Sequence, residues 1–92
     1  MSDPRAAWQR KIDHRLRALW EHVAEAERER HSVRVLVRFA GSDQLLKDLG
    51  AHVHSVAGDI ASGTIALNDL PRMANAAEVI FVELAQVLTQ DG

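Results

Sequence analysis

His52 and His54 lie two residues apart in AHVHSVAG. On a strand this spacing puts two imidazoles on one face, the beginning of a metal site. A structural or catalytic metal needs a fuller ligand set, and neither a third ligand nor any cysteine accompanies the pair, so no metal is assigned and both read as surface histidines. His14 and His22 share one side of a helix two turns apart and read as solvated. Gly58 and Gly63 in GDIASGTIAL carry the G-x-x-x-x-G spacing of a phosphate loop, yet Thr64 stands where that motif needs lysine and a strand follows where it needs a helix. The segment therefore reads as a turn whose glycines permit positive φ or close backbone approach. Ser42, Ser55 and Ser62 are available as nucleophiles, but no G-x-S-x-G turn presents any of them. No catalytic or cofactor-binding residue is assigned, and the chain is expected not to be an enzyme.

Chemistry being thin, the elements carry the reading. A chain of 92 residues supports one small core, and 47% hydrophobic residues make that core feasible. The formal charge of -2 argues against a nucleic-acid partner. There is no apolar run long enough for a membrane span, and with no cysteine and a polar start, MSDPRAAWQRKIDH, the expected setting is the cytoplasm.

From Asp3, placed as N-cap, and Pro4 onward, no glycine or proline interrupts the chain until Gly41. This predicts one long amphipathic helix over residues 4–30, with Trp8, Ile12, Leu16, Leu19 and Val23 on its apolar stripe. The period then falls to two: Val33, Val35, Val37 and Phe39 alternate with Arg34, Leu36 and Arg38. A short helix around Leu45, Leu46 and Leu49, two strands joined around Gly58–Gly63, a second short helix with Pro71 in its first turn, and the strand EVIFVEL complete the pattern. The expected fold is α+β: a ferredoxin-like β-α-β-β-α-β antiparallel sheet, strand order 4-1-3-2, preceded by the long helix. Residues 1–31 form the helical part and residues 32–92 the sheet domain.

Strand alternation divides the sheet into two faces. The core face takes Val33, Val35, Val37, Phe39, Val53, Ile65, Ile80, Val82 and Leu84, with Leu45, Leu49, Leu67, Leu70 and Met73 packed on it. The open face takes Arg34, Leu36, Arg38, His52, His54, Thr64, Ala66, Val79, Phe81 and Glu83, and is too apolar at Leu36, Val79 and Phe81 to be idle. Glu83 is expected to pair with Arg34 or Arg38 across strands. The residues assigned to partner binding are Leu36, Arg38, His52, His54, Val79, Phe81 and Glu83. The helix has its basic residues (Arg5, Arg10, Lys11, Arg15, Arg17) first and its acidic ones (Glu21, Glu25, Glu27, Glu29) last. Two copies packed antiparallel would match these charges while Trp8, Ile12, Leu16, Leu19 and Val23 closed a seam, so a homo-oligomer is expected; the alternative is that the helix folds back onto the chain's own open sheet, its charges solvated.

The pieces VRVLVRFAG, AHVHSVAGDIASGTIAL and AEVIFVELAQVL, spanning Val33 to Leu88, resemble the prodomains of subtilisin-like serine proteases, particularly the fervidolysin-like group. The resemblance implies a ferredoxin-like domain that lays its open sheet face on two surface helices of the protease and sends its C-terminal tail along the active-site cleft. Here that tail is AQVLTQDG, which extends at most about 28 Å. The function implied is a non-catalytic module that engages or inhibits a subtilisin-like protease or protease-like protein. The alternative is a homo-oligomerising adaptor built on the N-terminal helix and the open face.

Overall fold

The computed structural model describes residues 8–88. The expected helix start at Asp3 and Pro4, and the tail residues Gln90, Asp91 and Gly92, lie outside the described residues. The elements are α1 (His14–His22), β1 (Ser32–Phe39), α2 (Gln44–Asp48), β2 (His52–Ala57), β3 (Ile60–Ala66), α3 (Leu70–Asn75) and β4 (Val79–Leu88), with 3-10 turns at Glu25–Glu27 and Leu67–Asp69. From β1 onward the order is β-α-β-β-α-β. All strand pairs are antiparallel, and the sheet runs β2-β3-β1-β4, which from the β4 edge reads 4-1-3-2.

One core lies on one side of this sheet. Val33, Val35, Val37 and Phe39 of β1, Ala61 and Ile65 of β3, and Val82 and Leu84 of β4 are buried with Leu46 of α2 and Leu70, Met73 and Ala74 of α3. In five-residue α2 the buried leucine is Leu46, whereas Leu45 and Leu49, expected in the core, are only partly covered. The β2–β3 hairpin is tighter than the sequence suggests: Ala57 faces Ile60, and only Gly58 and Asp59 make the turn. Of these two residues only Gly58 has positive φ, at 63°, the pattern of a type II′ turn opened by glycine.

The long N-terminal helix is not formed. Residues 11–13 leave the helical path and run along the outer edge of β4, where Val82 N–H donates to the Lys11 carbonyl (2.7 Å) and Asp13 N–H donates to the Val82 carbonyl (3.0 Å). Asp13 then caps α1, its Oδ1 accepting from Leu16 N–H at 2.7 Å. Aspartate favours this position because its short carboxylate satisfies an orphan N–H there, while inside a helix it competes with the backbone. Lys11 Nζ also donates to the Ala76 carbonyl (2.9 Å), and Arg15 donates to the Leu84 carbonyl (2.8 Å). An edge strand with unpaired amides invites pairing with another chain; here the chain covers the Val82–Leu84 stretch of that edge with its own residues.

The far end of α1 is closed just as locally. Arg28 folds back so that Nε and Nη2 donate to the Trp20 carbonyl at 3.1 and 2.9 Å, and its guanidinium carbon lies 3.8 Å from the centre of the Trp20 ring. One of the unsatisfied last-turn carbonyls thereby gains a charged donor. Trp8 also packs against Trp20, the two rings in a T-shaped arrangement with 5.0 Å between their centres.

This packing settles where the apolar stripe goes. Trp8, Ile12, Leu16 and Val23 are buried in the same cluster as Val33 and Val82, and Leu19 packs partly buried against it. The residues expected to close a seam between two copies are thus spent inside one chain, because a bent segment can reach over the edge of β4 where a straight helix could not. The core does not divide at residue 31.

Candidate functional site

α2 and α3 cover one side of the sheet and leave the other open. β1 supplies the middle of that open face with Arg34, Leu36 and Arg38, whose alternation with buried valines is unbroken. Register sets their neighbours: Arg38 lies between Ile60 of β3 and Phe81 of β4, Leu36 between Ser62 and Glu83, and Arg34 between Thr64 and Gln86.

Leu36, Ile60 and Phe81, on three adjacent strands, remain 37%, 37% and 38% exposed. With Arg38 and Glu83 they line a shallow depression of about 230 Å³. Leu36, Arg38, Phe81 and Glu83 are four of the residues the sequence assigned to partner binding, and the structure brings them together. Ile60 was missed because the turn was spread over Gly58–Gly63; the Gly-Asp pair at its start is the signal that shortens the turn and phases Ile60 outward.

Val79 is corrected. It is fully buried, opposite Phe39, while Ile80, expected in the core, is 49% exposed. Between Arg38↔Phe81 and Phe39↔Val79 the pairing shifts by one, so Ile80 is the extra residue of a β-bulge and the alternation breaks there. A second bulge, at Ala85, lets β4 continue in pairing with β1 as far as Leu88. The first four residues of the expected tail are therefore sheet.

His52 and His54 do share the open face, at the β2 edge and outside the depression. Their rings are 5.1 Å apart between centres and inclined at 66°. His54 is the extra residue of a bulge between Val53 and Ser55, which also turns Ser55 to face Ser62, with their hydroxyls 3.2 Å apart. The backbone accommodates this only because residue 63 is glycine: a Cβ there would stand 2.8 Å from the His52 carbonyl oxygen. His54 Nε2 and Thr64 Oγ1 share a hydrogen bond of 2.7 Å, and among the described residues no carboxylate bonds to either imidazole and no three metal-ligating side chains cluster.

The expected pairing of Glu83 with Arg34 or Arg38 is not formed; the ion pairs among the described residues are Lys47–Asp43 and Arg72–Asp69, both elsewhere. Arg34 Nε is shut off from water and has no hydrogen-bond partner among the described residues. What the arrangement offers chemically is a contact surface: an apolar patch with guanidinium groups that have no ion-pair partner among the described residues. No described helix is long and apolar enough to cross a membrane. Comparison with protein-family models, with curated proteins and with solved structures gives no match to this chain.

Proposed function

We propose that this chain is a non-catalytic protein-binding module that works as a subtilisin-type prodomain does, laying its open sheet face on a helical surface of a subtilisin-like protease supplied by another chain. The observation that carries the reading is the trio Leu36, Ile60 and Phe81, exposed together on the face that no helix covers. An exposed apolar patch on a sheet face loses water favourably when a complementary surface covers it. The ferredoxin-like connectivity and the prodomain-like stretches from Val33 to Leu88 direct the choice of partner, and a cytoplasmic setting accords with the absence of cysteine. Engagement rests on the sheet face, since Ala85–Leu88 belong to β4. The adaptor alternative keeps the open face but loses the helical stripe, which is buried in the chain's own core.

Calorimetric titration with a subtilisin whose nucleophile has been removed tests the proposal. The intact chain is expected to bind one to one, and Phe81→Asp, with its melting temperature unchanged, to bind at least about tenfold more weakly. No binding by the intact chain, or equal binding by the variant, overturns it.

A further inference from the structure

One row of the open face is polar from edge to edge. Its members, one per strand and paired in register, are His52 of β2, Thr64 of β3, Arg34 of β1 and Gln86 of β4. No carboxylate stands in it. The row lies outside the depression lined by Leu36, Arg38, Ile60, Phe81 and Glu83, so its chemistry is separate from that of the apolar trio.

Thr64 has the shortest side chain of the row, with a longer basic one on either side. His54, the bulged residue, adds a second imidazole: its Nε2 is 2.7 Å from Thr64 Oγ1, and its ring is 5.1 Å from that of His52 between centres. A hydroxyl has one proton to donate. When His54 donates to Oγ1, that proton is free to point away from His54 to a further acceptor.

Arg34 gives the independent pointer. Its Nε is shut off from water and has no hydrogen-bond partner, and no ion pair holds its guanidinium among the described residues. A buried N–H left without an acceptor is costly, the more so on a charged group. An oxyanion supplies the acceptor and the opposite charge together.

The donor set selects the class of anion. A carboxylate is planar, offers two oxygens and is satisfied by the guanidinium fork alone. A phosphate monoester presents three terminal oxygens and close to two negative charges, so it can engage the guanidinium on one side and the hydroxyl and imidazoles on the other. Between the backbones of His52 and Arg34 lie two strand spacings, roughly 9.6 Å, enough for a phosphoryl group with a hydrogen bond of about 2.8 Å at each side. The chain's formal charge of -2 gives no steering toward a nucleic-acid polyanion.

We infer that Arg34, Thr64, His52 and His54 form a site for the phosphoryl group of a phosphate monoester. The site stands independently of the protease reading.

The test is titration of the intact isotope-labelled chain, at fixed pH and ionic strength, with inorganic phosphate, with acetate, and with a short peptide carrying one phosphoserine beside its unphosphorylated form. Inorganic phosphate, the phosphopeptide or both are expected to give saturable shifts at the Arg34 Nε–H and at the amides of His54 and Thr64, at least about tenfold more tightly than acetate. Tighter binding of the phosphopeptide than of inorganic phosphate places the phosphoryl group on a partner chain; weaker or absent binding of the phosphopeptide places it on a free ligand. Arg34→Gln should weaken binding at least about tenfold and Thr64→Val at least about threefold. Should Arg34→Gln lose its dispersed spectrum, Arg34→Lys, which keeps the charge without the fork, is expected to cost at least about threefold. Lys47→Gln removes the same charge from α2, on the helix-covered side, and should leave binding unchanged. Shifts that never saturate, an equal response to acetate, equal binding of the peptide with and without its phosphate when inorganic phosphate is also silent, undiminished binding by the Arg34 variant, or an equal loss in Lys47→Gln overturns the inference.

Discussion

Asp13 and Leu84, separated by 71 residues, are joined by a hydrogen bond: Leu84 N–H donates to Asp13 Oδ2 at 2.8 Å while the other carboxylate oxygen of Asp13 caps α1. One side chain thus starts a helix and closes a sheet edge. The start of α1 and the outer side of β4 are therefore one structural unit.

Asp13→Ala is expected to lower stability by about 2 to 3 kcal/mol, since it removes a cap and strands a partly buried N–H of β4. Asp13→Asn, with a single acceptor oxygen, should lose about half as much. Urea unfolding measures both, and an alanine variant within experimental error of the parent would show that the edge is held by the backbone bonds at Val82 alone.

The bulge at Ile80 makes two neighbouring apolar residues unequal. Val79→Ala should cost about 2 kcal/mol through the cavity it leaves beside Phe39, whereas Ile80→Ala should change stability by under about 0.5 kcal/mol. The reverse order in chemical denaturation would restore the regular alternation.

Gly63→Ala is expected to cost about 1 to 3 kcal/mol, because the new methyl would meet a backbone carbonyl that cannot rotate away. The loss should be accompanied by shifted amide signals at Val53, His54 and Ser55, the bulged segment. A stable variant with those signals unmoved would contradict the close approach at His52.

What was legible beforehand follows from where alternation holds. β1 is regular from Ser32 to Phe39, so Leu36, Arg38 and, through it, the open face were readable from period alone. β4 carries two bulges and β2 one, and a bulge adds a residue with no mark in the surrounding residue types, which is why Val79 and Ile80 exchanged places. α2 is five residues long, too short for periodicity to choose among Leu45, Leu46 and Leu49. The break at residues 11–13 was invisible for a different reason: nothing in the local sequence forbids a helix there, and what opposes it is the row of amides and carbonyls on β4, which only the folded sheet places beside it. Aspartate at residue 13 was the one local hint.

The central claim is that the open sheet face, and not the helical side, meets the partner. Cross-saturation from unlabelled, nucleophile-free subtilisin to the labelled intact chain tests it most directly. Signal loss concentrated at Leu36, Arg38, Ile60, Phe81 and Glu83 is the predicted result; loss concentrated on α1, α2 or α3, or none at saturating protease, would contradict it.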